Sequence, residues 1–207
     1  MSAQLRELID KLLGTFQTVY PPVSSTVLRE LYDRGDYASM LGWIKKSMRL
    51  DLRVGLRIVN TIKTSPPMWV ETPERMPLFG TSEFRRTRIV VNARRDLIEN
   101  KPFRWVVAGF AHELSHVVLF SLGHELQHNE KAVDLTAMIL GYQSFIADAE
   151  ITKTEGTLSS VLMAILLLPL GVLYWGGTKR KTQRLGYLTK AEAKFAIGRL
   201  ASLRRTK

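Results

Sequence analysis

The 207-residue chain contains no cysteine. That absence excludes a disulfide scaffold, a thiol nucleophile and any zinc site built on thiolates. A metal here has only histidine and carboxylate to bind it, and the chain has just four histidines. Acids are scarce at one end: residues 178–207 hold ten Lys/Arg and a single acid, Glu192. The rest of the chain is nearly neutral, although the whole carries a formal charge of +11. Internal repeats and low-complexity linkers are also missing. With 45% apolar and 24% charged residues, the composition is that of a folded domain and not of a disordered chain.

The longest uncharged run spans Gly156 to Thr178, 23 positions, and ends in Tyr174-Trp175 before Lys179-Arg180-Lys181. As a helix it would cover roughly 34 Å, enough for a hydrocarbon core of about 30 Å, and its aromatic and basic flanks suit an interface. The sequence therefore predicts a membrane-inserted segment at 156–178 and a basic amphipathic tail at 179–207, with lipid as a partner. A single span with its basic flank inside would put residues 1–155 outside. The N-terminus (Met1-Ser-Ala-Gln-Leu-Arg) is a charged helix start and not a signal peptide. A re-entrant hairpin turning at Pro169–Gly171 keeps both sides cytoplasmic, so the expectation is a membrane-associated protein with a cytoplasmic catalytic domain. The tail has few aromatics, Tyr187 and Phe195, and no nucleic-acid partner is expected. The Arg85-Arg86-x-Arg88 and Arg94-Arg95 clusters read as a solvated strand edge.

Residues 3–20 and 25–50 show helical spacing, the first stopped by Pro21-Pro22. Leu52–Ile62 fits either element type. Met68–Thr72 and Thr87–Asn92 are short β-rich runs around a Pro77/Gly80 loop. Trp105–Leu122 is an apolar helix stopped by Gly123, and a second begins at the N-cap Asn129 and runs to Gly141. Lys190–Leu203 closes the chain as an amphipathic helix. The predicted fold is α+β and mostly helical: a small sheet precedes the apolar helix, and a C-terminal hydrophobic segment follows. The predicted division is 1–155 (with a helical part at 1–65), 156–178 and 179–207.

Chemistry concentrates in His112-Glu113-Leu114-Ser115-His116. Histidines at i and i+4 share one helix face and can hold one zinc, while Glu113 can take a proton from the attacking water without being a ligand. Apolar neighbours bury the motif, and buried polar groups need partners that a metal supplies. A second match, His124-Glu125-Leu126-Gln127-His128, falls between the Gly123 stop and the Asn129 start, in a polar loop. Its histidines are candidates for an oxyanion or substrate contact, as is Tyr142. A catalytic zinc needs a third protein ligand. The metzincin position, six residues past the second histidine, is Leu122, which excludes that pattern. Glu130 is the best third ligand, with Asp134 one turn further on.

Asn129-Glu130-Lys131-Ala132-Val133-Asp134 has the Asn-Glu-x-x-x-Asp form of gluzincins, and with the upstream motif the chain resembles a minimal gluzincin zinc metallopeptidase over residues 68–142. The resemblance implies a zincin-like fold in which His112, His116 and Glu130 ligate zinc, Asp134 orients His112 and Glu113 is the catalytic base. It also implies that the strand Thr87–Asn92 lines the cleft and pairs with an extended peptide or protein substrate. Two alternatives accompany it. One is a regulatory protease of the ImmA/IrrE type acting on a repressor, with residues 3–50 as a recognition part; the other is a non-catalytic, zinc-stabilised membrane scaffold.

Overall fold

The computed structural model describes residues 3–60, 66–148, 150–155, 179–184 and 187–205. It divides into two compact units: Met1–Ala149 with Leu185–Lys207, and Glu150–Arg184. The predicted membrane segment, 156–178, lies outside the described residues. Among the described residues, no helix is long and apolar enough to cross a membrane.

The first unit is α+β, with a three-stranded sheet among helices. Helix α1 is Ala3–Phe16, its stripe of Leu5, Leu8, Ile9 and Leu12 buried. The stretch 25–50, one helix by periodicity, is two: α2 (Thr26–Asp33) and α3 (Tyr37–Ser47). Gly35 takes φ +70 after α2, and the Asp36 side chain accepts the Ser39 N–H at 3.0 Å. A left-handed stop followed by an aspartate cap ends one helix and starts the next.

The ambiguous stretch from Leu52 forms β1 (Arg53–Val59). It is followed by β2 (Met68–Glu71), the short helix α4 (Ser82–Arg86), β3 (Arg88–Arg94) and α5 (Arg95–Asn100). The strand order is β1-β3-β2, with β1 parallel and β2 antiparallel to β3. This corrects one expectation. The strand at Thr87–Asn92 is central, with both edges occupied, and cannot pair with a peptide; β1 and β2 are the edge strands. The register of β2 can be worked out further. Arg94 N–H donates to Pro67 O at 3.1 Å, and ladder bonds alternate along an antiparallel pair. The pairs Trp69–Asn92 and Glu71–Val90 therefore exchange ladder bonds, while Met68 and Val70 turn their N–H and C=O to the free edge.

Helix α6 (Phe103–Ser121) is buried on nearly all sides, which accounts for its lack of a polar face. It packs against β2, and α3 packs against β1. After Gly123, at φ +58, a turn-rich loop leads to α7 (Glu130–Ala137). The helical path runs on through a wider turn, Met138–Tyr142, and breaks at Gly141 as expected; beyond that kink α8 (Gln143–Ala147) begins. Gly141 has φ +105, and a Cβ there would lie 2.5 Å from Pro21 O. The chain at Tyr20–Val23 binds this turn through Tyr20 N–H to Ile139 O (2.8 Å) and Val23 N–H to Gly141 O (2.9 Å). Only glycine fits so close an approach.

The second unit contains β4 (Glu150–Glu155) and β5 (Lys179–Arg184), antiparallel to each other. The last helix, α9 (Lys190–Arg205), belongs to the first unit and is not an appended tail. Ala193, Ala196 and Leu200 are buried, and the helix packs on α8 and the wider turn before it. Lys190, Lys194 and Arg199 lie on its exposed side, as the amphipathic pattern predicts.

Candidate metal centre and cleft

Helix α6 carries His112, Glu113 and His116 into the interior. Their relative exposure is 8% for both His112 and Glu113. One helical turn sets the two imidazoles side by side, with centroids 5.0 Å apart. The second half of the site comes from α7. The Asn129 side chain accepts the Ala132 N–H at 3.1 Å, which fixes the helix start and puts Glu130 in its first turn. Glu130 Oε2 lies 3.2 Å from His112 Nε2 and 3.4 Å from His116 Nε2. Ligand atoms of these three residues all fall within 4.8 Å of one another.

Whether this set fits a cation can be judged from its hydrogen bonds. Asp134, fully buried, takes His112 Nδ1 at 2.8 Å, so Nδ1 carries a proton and Nε2 is the ring's free ligand atom. Among the described residues no donor is aligned on the buried Glu130 Oε2, although two ring nitrogens are close to it. Three ligand atoms that face one another with no aligned hydrogen bond among them are arranged for a positive charge between them. The residues therefore fit a metal ion.

The electrostatics of the metal-free site agree. Burial opposes charge on His112, but the hydrogen bond to Asp134, the adjacent Glu130 carboxylate and the charges of Asp134 and Glu113 outweigh it and raise its pKa to about 10. In His116, burial and the neighbouring His112 charge lower the pKa to about 4. Burial raises Glu113 to about 7. The adjacent His112, followed by the charges of both histidines, outweighs burial and holds Glu130 below the usual carboxylate range. A cation would replace the His112 proton and relieve this imbalance.

An open cleft of about 370 Å³ lies beside these residues, lined by Glu113, His116 and Glu130 with Trp69, Val70, Phe120 and His128 among others. Val70 N–H, turned to the strand edge by the register, faces the Glu113 carboxylate. The free edge of β2 thus adjoins the carboxylate that would serve as base.

The three candidate contact residues separate clearly. His128 is exposed, packs edge-on against Phe120 with centroids 5.3 Å apart and lines the cleft. His124 does not line it: the residue is buried, its Nδ1 accepts Leu126 N–H at 3.0 Å, and burial lowers its pKa. It braces the loop between α6 and α7. Tyr142 is fully buried, its hydroxyl bonded to that of Ser47, and burial raises its pKa. Its place is in the core, so it is not a substrate contact.

Sequence reasoning missed Tyr187. Its ring stacks on His112, with centroids 5.7 Å apart and planes 21° apart. Its N–H donates to Asp134 Oδ2 at 2.7 Å, and Leu188 N–H reaches the same oxygen at 3.2 Å. Backbone donors carry no residue signature; the available signal was Thr189-x-x-Glu192, a capping box marking a helix start just after them. No family model, curated protein or solved structure matches this chain, so the site has to be read from its own geometry.

Proposed function

We propose that this chain is a zinc-dependent peptidase of the gluzincin type that hydrolyses extended peptide segments. The observation that carries the reading is the convergence of the buried Glu130 Oε2 with His112 Nε2 and His116 Nε2, with Glu113 in the same cleft. His112, His116 and Glu130 would hold the metal. Bound zinc supplies a Lewis acid and promotes ionisation of water. Glu113 takes the proton of the attacking water and delivers it to the leaving nitrogen; a carboxylate raised to about 7 is well matched to both transfers near neutrality. Asp134 fixes the His112 tautomer. The free edge of β2 offers the N–H and C=O of Met68 and the C=O of Val70, and an extended peptide can add there as a further strand.

His128 lines the same cleft and would donate to a developing oxyanion. Helices α1–α3 belong to the same compact unit as the site, which favours a self-contained peptidase over one with a detached recognition module. The proposal includes attachment to a lipid surface through residues 156–178 and the Lys/Arg-rich stretch after them, on sequence grounds alone.

The test is cleavage of a quenched-fluorescent peptide library by zinc-loaded protein, wild type beside Glu113→Gln. The expected loss in the variant is about 10²-fold or more, as for removal of a general base, with zinc content unchanged. Equal cleavage by the variant would refute the assignment of Glu113. No cleavage by zinc-loaded wild type would refute the peptidase reading.

A further inference from the structure

Three contacts join the start of α9 to the metal-bearing residues, and the proposed chemistry uses none of them. The first is the pair of amides, Tyr187 N–H and Leu188 N–H, on Asp134 Oδ2 at 2.7 and 3.2 Å. The second is the Tyr187 ring stacked on the imidazole of His112. The third is an ion pair between Glu192 and Lys131, the residue after Glu130, at 2.7 Å. The start of α9 is itself rigid: Thr189 N–H donates to Glu192 Oε2 (2.8 Å) and Glu192 N–H to Thr189 Oγ1 (3.2 Å), a reciprocal capping box. Glu192 thus closes the cap with one oxygen and pairs with Lys131 through the other.

We propose that residues Tyr187–Glu192 form a clasp that positions the metal centre, holding Asp134 by two main-chain amides, His112 by the Tyr187 ring and the first turn of α7 by Glu192. The inference rests on the metal-binding part of the proposed function and adds positioning residues to it. The physical argument concerns Asp134. Its one oxygen aligns His112 only if the carboxylate cannot rotate, and two amides on the other oxygen prevent rotation. The ring blocks the second freedom, a swing of the imidazole about its side-chain bonds, by covering one face. Tyr187 is 53% exposed, so the contact does more to fix His112 than to fill a core. A metal site whose ligands are already aligned pays less ordering entropy on binding. Tyr187 acts through His112 and Asp134, which makes it a positioning residue.

The test uses the full chain with zinc and with Co²⁺ as a spectroscopic probe, in wild type, Tyr187→Ala, Tyr187→Phe and Glu192→Gln. Chelator competition should show zinc affinity reduced about tenfold in Tyr187→Ala, the lower end of the effect of losing an outer-sphere partner. The visible ligand-field bands of the Co²⁺ form should shift in the same variant. Tyr187→Phe keeps the ring and the amide and should restore both readouts. Glu192→Gln should weaken affinity less. In metal-free wild type, the Tyr187 and Leu188 amides should exchange with solvent far more slowly than open chain. Unchanged affinity and spectrum in Tyr187→Ala, or open-chain exchange of both amides, would overturn the clasp. Wild type that holds no metal would overturn the clasp and the peptidase together. Clasp effects as expected with no peptide cut would leave the clasp standing and remove the peptidase.

Discussion

Replacing Asp134 by Asn tests the wiring of the site with almost no change of shape. Asp134 accepts three hydrogen bonds, His112 Nδ1 on one oxygen and the Tyr187 and Leu188 amides on the other. A carboxamide has one accepting oxygen and one donating nitrogen, so it can satisfy only one of these two sides. If the nitrogen faced the amides, two buried N–H groups would be orphaned at about 1–3 kcal/mol each. If it faced His112, both amides would keep their acceptor and the imidazole would switch tautomer so that Nδ1 accepts. The second arrangement costs less and should prevail. It moves the ring proton to Nε2, the atom needed for the metal. The predicted result is a folded protein whose zinc affinity falls about 10- to 100-fold, or roughly 1.4–2.7 kcal/mol. Chelator competition measures the affinity, and imidazole ¹⁵N spectra report the tautomer. Zinc affinity within twofold of wild type, in a folded variant, would refute the reasoning.

Other consequences follow from the same geometry. His112 is raised to about 10 in the metal-free protein and is protonated at pH 7, so zinc binding there should release about one proton per chain from it. Calorimetry in buffers of different ionisation enthalpy measures that number, which should fall towards zero as pH passes 10. Hydrolysis should decline as pH drops through the Glu113 titration, because a base must be unprotonated to accept; bound zinc would move that limb below the metal-free value of about 7. Gly141→Ala forces a Cβ to within 2.5 Å of Pro21 O at φ +105, and should cost about 2 kcal/mol or more, seen as a Tm lower by about 5 °C or more. His128→Ala should depress kcat/KM without affecting Tm. His124→Ala should lower Tm, since it removes the acceptor of Leu126 N–H.

What could be read from the sequence was local in space as well as in chain. His112 and His116 meet because they are one helical turn apart, and Glu130 and Asp134 because Asn129 caps the helix that carries both. The two-helix break at Gly35-Asp36 was equally local and went unread, although a glycine stop before an aspartate cap is a legible signal. Strand order was harder. Both β-rich runs have similar composition, and which of them is central depends on β1, whose alternation is poor. Tyr187 lies 53 positions beyond Asp134 and binds it through a main-chain amide, a contact that side-chain chemistry does not encode. The oxyanion candidates divided by burial: Tyr142 and His124 are buried with internal partners, whereas His128 has the cleft.

The most direct measurement is the zinc content of purified, zinc-equilibrated protein, wild type beside His116→Ala. His116 is a good site for the change because it contributes one of the three converging ligand atoms and makes no hydrogen bond to Asp134. About one zinc per wild-type chain, lost in a folded variant, is the predicted result. A wild-type chain that holds no zinc, or a variant that holds as much as wild type, would contradict the account.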